Sequence, residues 1–167
     1  MGKRSIKENK NIYQTSREAA GLTREKAEAE MIFVSAERIE KIESEKSLPH
    51  PDEILAMSQC YKVPTLCNYF CSHECPIGQK YVPEVKFKDL SQITLETLAS
   101  LNSLDKAKNR FIEITVDGKV TEDEIKDFLA IQKELEKISA SVSSLKLWVD
   151  HTVSTGAIDK EWIKKNK

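Results

Sequence analysis

The fold is decided between residues 21 and 43, where the chain reads GLTREKAEAEMIFVSAERIEKIE. Thr23 and Ser35 each stand before a short helical pattern and carry a hydroxyl that can accept a hydrogen bond from a free amide at a helix start. In the second pattern, Ile39 and Ile42 lie three residues apart on one helix face. The stretch therefore predicts two short helices around a turn of three or four residues, which is the arrangement of a helix-turn-helix.

The flanking sequence extends this pair into a small bundle. An amphipathic pattern over residues 12–20 ends at Gly21, a residue suited to the left-handed position that follows a helix. Further on, Pro51 and Asp52 begin another apolar helical pattern, and Pro64 prevents its simple continuation. Four short helices are therefore expected between residues 11 and 70.

Several segments resemble one family of regulators. The GLT start, the VS before the second helix, the IEKIE within it and the LPHPDEILAMS of residues 48–58 resemble the XRE-type family that contains lambda repressor and Cro. YFCSHECPIG, at residues 69–78, and ITVDGKVTEDE, at residues 114–124, resemble regulators of this type from Firmicutes and their prophages. The resemblance implies an all-α fold, with an N-terminal lambda-repressor-like helix-turn-helix bundle followed by a long C-terminal helical hairpin.

The same resemblance implies a function and a set of contact residues. A family member is expected to be a sequence-specific DNA-binding transcriptional regulator that reads the major groove with the helix over residues 35–44. Carried over by position, the residues at base edges are Ala36, Glu37 and Lys41, the phosphate contacts are Arg24 and Arg38, and Ser35 completes the expected DNA-binding set. Glutamate can accept from a cytosine amino group and lysine can donate to guanine.

The charge pattern favours a competing interpretation. The formal net charge is -1, and residues 1–64 carry eleven basic and eleven acidic side chains. Because affinity for DNA depends on neutralising phosphates, a domain without net charge has to segregate its charges or bind weakly. The alternative function is a protein-interaction adaptor that keeps a degenerate helix-turn-helix fold and has lost DNA affinity, in which residues 35–44 form a solvated acidic helix face on a small helical bundle.

Composition divides the chain into five parts. They are a basic N-terminal arm over residues 1–10, the helix-turn-helix domain over 11–70, an irregular connector with Cys and Pro over 71–88, a helical hairpin over 89–155 and a basic tail over 156–167. In the hairpin, apolar residues alternate spacings of three and four from Phe128 to Val149, which is a heptad pattern. This stripe packs either on the preceding helix of the same chain or against a second copy in a homodimer.

Four cysteines fall within sixteen residues, at Cys60, Cys67, Cys71 and Cys75. Three interpretations stay open: a structural zinc site, buried reduced thiols, and a redox-sensing disulfide such as Cys71 with Cys75. The spacing is looser than that of paired CxxC motifs, so the sequence does not choose between them.

Other function classes find little support. No phosphate-cradling glycine loop or nucleophile motif occurs, so we do not expect an enzyme. The longest uncharged stretch rich in apolar residues, over residues 63–73, is too short to span a bilayer, and the N-terminus lacks the apolar segment of a signal peptide. These features predict a cytoplasmic protein.

Overall fold

A computed structural model describes residues 10–165, and over this range the fold is helical with no β-strand. The N-terminal helices are α1 (Ile12–Ala19), α2 (Arg24–Met31), α3 (Ala36–Glu43), α4 (Pro51–Tyr61) and α5 (Thr65–Tyr69). A π-helical turn (Phe70–Glu74) and α6 (Pro76–Tyr81) follow, and then α7 (Leu90–Thr115), α8 (Ile125–Ser154) and α9 (Lys160–Lys165). The expected all-α fold is thereby confirmed. The basic arm lies outside the described residues, apart from Lys10.

The short helices begin where the sequence places capping residues. Asn11, Thr23 and Ser35 precede α1, α2 and α3, and each side chain accepts a hydrogen bond from the backbone N–H three residues later. Gly21 follows α1 with a φ of 72°, which is the left-handed conformation that glycine adopts without steric cost. These local interactions satisfy backbone groups at the helix ends and so mark where the helices begin and end.

Within the described residues, contacts divide the chain into two compact units, one of residues 10–84 together with 149–165, and one of residues 85–148. The core of the first unit is built from side chains of α1 to α5 and the π-helical turn. Its most deeply buried members include Ala27, Val34, Ile39, Ile42, Ile54, Met57 and Leu66. The apolar faces of α2, α3 and α4 therefore meet in one core, as a helix-turn-helix bundle requires.

The sequence predicted an irregular connector over residues 71–88. That prediction is wrong for the first half of the segment, most of which is helical. The π-helical turn continues to Glu74, and Pro76 stands at the start of α6 instead of ending helical structure. Proline suits the first turn of a helix because its missing N–H would have no partner there. Gly78 packs so closely on the backbone of Cys71 that a Cβ atom would lie 2.0 Å from the Cys71 carbonyl oxygen. Cys75 and residues 82–89 are extended or irregular.

The second unit contains α7 and α8 up to residue 148, which form the helical hairpin. The turn between α7 and α8 contains Gly118 at a φ of 71°, and Thr121 donates to the carboxylate of Glu124 from both its N–H and its hydroxyl. Across the two helices, Arg110 of α7 pairs with Asp127 of α8 at 2.7 Å. None of the helices in the described range is both long and apolar enough to cross a membrane.

The heptad stripe of α8 is covered only in part. Ile131 is buried, but Leu135, Val142 and Leu145 remain 40%, 53% and 42% exposed. The buried positions elsewhere on α7 and α8 include small residues, Ser100, Ser141 and Ser144. Packing within the chain therefore leaves much of the predicted stripe open to solvent.

Candidate nucleic-acid interface

α2 and α3 are joined by a strained turn. The C-terminal neighbour of α2 is Ile32, with a φ of 58° and a ψ of -47°, and the N–H of Phe33 donates to the carbonyl of Met31 at 2.6 Å. This is the γ-turn with positive φ, which is rare and strained for a β-branched residue. Ile32 is 95% exposed and Phe33 60% exposed, so the turn projects two apolar side chains into solvent.

The outer face of α3 is accessible along its length. Ile39 and Ile42 point into the core, while Ser35, Glu37 and Lys41 are exposed and Ala36 is partly exposed. Ser35 also caps the helix by accepting from the N–H of Arg38 at 3.2 Å. The predicted base-edge residues thus share the solvent face of one helix, as a recognition helix requires.

Lys41 does not stand alone on that face. Its ammonium pairs with the carboxylate of Glu37, one helical turn earlier, at 2.7 Å. Hydrogen bonding to Lys41 lowers the pKa of Glu37, so the carboxylate stays ionised. Both side chains are well exposed, and such a pair is worth little in water and can exchange for other partners.

Arg38, a predicted phosphate contact, already donates hydrogen bonds to acceptors in its own chain. Its guanidinium donates to both carboxylate oxygens of Glu53 on α4, at 2.6 and 2.8 Å, and also to the hydroxyl of Ser47 and the carbonyl of Leu48. The hydrogen bonds from Arg38 lower the pKa of Glu53. A planar guanidinium with this many partners locks α3 onto α4 and the intervening loop, so Arg38 acts here as a structural residue.

Arg24 belongs to a buried ion cluster that the sequence did not reveal. The carboxylate of Glu43, at the end of α3, accepts from Arg17 of α1 at 2.5 and 2.9 Å and from Arg24 of α2 at 2.9 Å. The side chain of Glu43 is only 1% exposed, that of Arg17 8% and that of Arg24 33%. One carboxylate therefore ties three helices together, and Arg24 is only partly available to a phosphate.

Each basic side chain that was predicted to contact DNA has a carboxylate partner in the same chain. Arg24 pairs with Glu43, Arg38 with Glu53 and Lys41 with Glu37. These pairings lie 19, 15 and 4 residues apart, so only the last could have been found from helical spacing.

All four cysteines are free thiols, and each of them is partly buried. The thiol of Cys60 lies 3.4 Å from the carboxylate of Glu30, and burial together with that carboxylate raises the pKa of Cys60 to about 12. Burial, followed by the neighbouring thiols of Cys75 and Cys67, raises the pKa of Cys71. Elevated thiol pKa values disfavour the thiolate that redox chemistry needs.

The structural zinc site, one of the three interpretations that the sequence left open, gains no support from the placement of these side chains. Within the described part of the chain, no group of three His, Cys, Asp or Glu side chains is placed to hold a metal ion. Instead, Cys60 faces Glu30, and the sulfur of Cys75 accepts from the N–H of Gly78 at the start of α6. These contacts are those expected of reduced thiols that pack and cap helices.

Comparisons with known proteins add no family assignment. No protein-family model matches the chain, and neither the curated proteins nor the solved structures contain a match. The resemblance to XRE-type regulators accordingly rests on the sequence segments and stays a prediction.

Proposed function

We propose that the protein is a cytoplasmic, sequence-specific DNA-binding transcriptional regulator without enzymatic activity, and that α3 reads the major groove. The observation that carries this proposal is the exposure of one complete face of α3, with Ser35, Glu37 and Lys41 open to solvent while Ile39 and Ile42 anchor the helix in the core. A helix held in this way after a turn can enter a groove without rearrangement of the bundle.

The exposed face offers a small set of base contacts. Glu37 can accept from a cytosine amino group, Lys41 can donate to guanine, and Ala36 can touch a thymine methyl group. The exposed pair of Glu37 and Lys41 can separate on binding at little cost, because surface ion pairs contribute between 0 and about 1 kcal/mol. Phosphate contacts are scarcer, since Arg38 already has four acceptor atoms within its own chain.

We further propose that the hairpin joins two copies. Leu135, Val142 and Leu145 follow the heptad spacing of α8 and stay at least 40% exposed, so a second α8 could bury them. One short recognition helix reads few bases, and a dimer on two half-sites multiplies the specificity. The exposed stripe supports this proposal because solvated leucine and valine side chains gain about 25 cal/mol for each Å² that a partner covers.

A second candidate function is supported by a separate observation. Each of Arg24, Arg38 and Lys41 already has a carboxylate partner, and the turn before α3 exposes Ile32 and Phe33. Neutralised cations weaken attraction to phosphates, and exposed apolar side chains favour a protein partner. A protein-interaction adaptor with a helix-turn-helix fold is therefore the alternative to a DNA-binding regulator.

Selection from a random duplex library, followed by salt titration of the selected sites, separates the two functions. A regulator enriches specific sites and binds them with an affinity that falls steeply as salt rises. Lys41→Ala should weaken binding by roughly ten-fold or more, while Lys80→Ala, on exposed α6, serves as the control. Glu37→Gln should move the base preference at one position from cytosine towards adenine, because glutamine pairs with adenine. Absence of enriched sites and of salt-dependent binding would favour the adaptor.

Sedimentation equilibrium tests the dimer. The wild-type chain should associate at tens of micromolar or below, and Val142→Glu should dissociate it because a carboxylate would replace an apolar contact in the interface. Leu95→Glu on α7, where Leu95 is 69% exposed and outside the heptad stripe, is the matched control. A wild-type monomer throughout that concentration range would rule out the dimer.

A further inference from the structure

The N-terminal half of α7 carries exposed leucines beside the heptad stripe of α8. Leu98 and Leu101 are 52% and 45% exposed. Nearer the turn of the hairpin, Ser103 of α7 and Glu134 of α8 line the same small cavity. Because the two helices are antiparallel, residues before Ser103 lie alongside residues after Glu134. The exposed leucines of α7 are therefore neighbours of the exposed part of the α8 stripe.

Both rows of exposed side chains lie on the same side of the hairpin. In α7 the buried Ser100 is followed by the exposed Leu101, and in α8 the buried Ser144 is followed by the exposed Leu145. Each residue turns an α-helix by about 100°, so the exposed side chain is rotated from the buried one by the same angle and in the same sense in both helices. In two antiparallel helices that pack on each other, the same sense of rotation leads to the same side of the pair. The hairpin therefore presents one apolar face that is two helices wide.

This end of the hairpin is almost free of charge. Residues 90–104 contain a single charged residue, Glu96, and residues 138–148 contain only Lys146. The halves nearest the turn are different, with five and six charged residues over 105–115 and 126–137. Depletion of charged residues is what distinguishes the buried centre of a protein interface from the rest of a protein surface.

The polar side chains at this end need no water as a hydrogen-bond partner. Several hydroxyls donate to the backbone carbonyl four residues earlier in their own helix, namely those of Thr94, Thr97, Ser143 and Ser144. A hydroxyl with such a partner can be covered by protein without leaving an unpaired donor. The face is thus apolar, nearly neutral and able to lose its water.

The size of the face and its lack of charge favour a second copy of the chain as the partner. A stable dimer buries about 800 Å² of each partner, and a stripe one helix wide with half-exposed side chains offers much less. In a two-fold dimer each face meets an identical face, so a charged surface would be set against its own sign, whereas a neutral one would not. We propose that residues 90–104 of α7 and 135–145 of α8 bind the same surface of a second copy, so that two hairpins form a four-helix bundle. The inference rests on the dimer proposed for α8 and adds α7 to its interface.

Sedimentation equilibrium of the full-length chain tests the contribution of α7. Leu101→Glu should raise the dimer dissociation constant by at least about ten-fold, since it places a carboxylate in the apolar face. Leu95→Glu, about 120° around the same helix from Leu101, should leave the constant unchanged. Circular dichroism should show the same helix content in both variants. If Leu101→Glu does not fold, the double change Leu98→Ala and Leu101→Ala keeps good helix formers and should raise the constant by a similar factor.

The outcomes separate this interface from the function proposed above. Weaker dimerisation in the Leu101 variant and in Val142→Glu, with Leu95→Glu behaving as wild type, supports the interface whether or not the chain binds DNA. If Val142→Glu dissociates the dimer and the changes in α7 do not, the copies pair through α8 alone, and the inference is wrong while the dimer stands. Equal weakening by Leu95→Glu and Leu101→Glu would refute the side assigned to α7. A wild-type monomer up to tens of micromolar would remove both the dimer and this interface.

Discussion

Replacing Glu43 with glutamine should destabilise the first unit, which contains α1 to α6, more than the replacement of any exposed charged residue. The Glu43 side chain is 1% exposed and accepts three hydrogen bonds, two from Arg17 and one from Arg24. Glu43→Gln keeps the size of the side chain but removes its charge. The guanidinium of Arg17, which is 8% exposed, then stays buried without a counter-ion.

The expected loss is about 3–5 kcal/mol in the free energy of unfolding, which is the usual cost of breaking a buried ion pair from one side. This is a large share of the roughly 5–15 kcal/mol that stabilises a domain. Arg24→Ala should cost only about 1 kcal/mol or less, because Arg24 is 33% exposed and Glu43 keeps its bonds to Arg17.

Urea unfolding followed by circular dichroism gives the total change, and native-state hydrogen exchange of the amides of α1 to α4 assigns it to the first unit. The local measurement matters because a chain with two compact units need not unfold in a single step. Glu40→Gln, on the same helix and 52% exposed, is the matched control and should change stability by no more than about 0.5 kcal/mol. A loss below about 1 kcal/mol for Glu43→Gln would refute the structural role of the cluster.

Three further perturbations have defined outcomes. Ile32→Gly should raise the free energy of unfolding by about 1 kcal/mol, because glycine tolerates the positive φ of the γ-turn; an unchanged urea midpoint would mean that Ile32 is not strained. At pH 8, Cys60 should react with iodoacetamide more than about ten-fold more slowly than an unperturbed thiol, since raising its pKa to about 12 depletes the thiolate by more than the higher nucleophilicity of that thiolate restores; the rate should rise with pH and in Glu30→Gln, and alkylation of wild-type Cys60 as fast as that of an unperturbed thiol would contradict the assignment. Arg38→Ala should lower the free energy of unfolding by about 2–4 kcal/mol, because the hydrogen bonds from Arg38 to Glu53 of α4 are lost. A decrease of less than about 1 kcal/mol in a urea titration would show that these bonds do not stabilise the packing of α3 on α4.

The parts of the fold that sequence predicts well are those set by neighbouring residues. Thr23 and Ser35 begin helices as expected, Gly21 follows one in the left-handed conformation, and the turn at Gly118 separates α7 from α8. Each of these outcomes depends on interactions within about four residues, which a linear pattern records. Pro76 shows the limit of such patterns, because proline marks both the end of one helix and the first turn of the next.

The candidate site was less predictable because its decisive contacts are distant in sequence. Arg17 and Glu43 are 26 residues apart, and Arg38 and Glu53 are 15 apart. Equal numbers of acids and bases indicate that charges are balanced, but they do not say which are buried against one another and which face solvent. The heptad of α8 has the same limitation, since its spacing predicts an apolar stripe without specifying what covers it.

The buried pairs change how a loss of DNA binding would have to be interpreted. Arg38 holds α3 against α4, so its replacement would weaken any DNA binding simply by unsettling the helix that would carry the contacts, whether or not its guanidinium touches a phosphate. Lys41 and Glu37 are different, because they are 50% and 76% exposed and, among the residues that the structure describes, their side chains pair only with each other across one turn of α3. Their substitution alters the exposed face of α3 while leaving the core intact. The choice between a regulator and an adaptor therefore depends on these two positions, and on whether stability stays constant while affinity and base preference change.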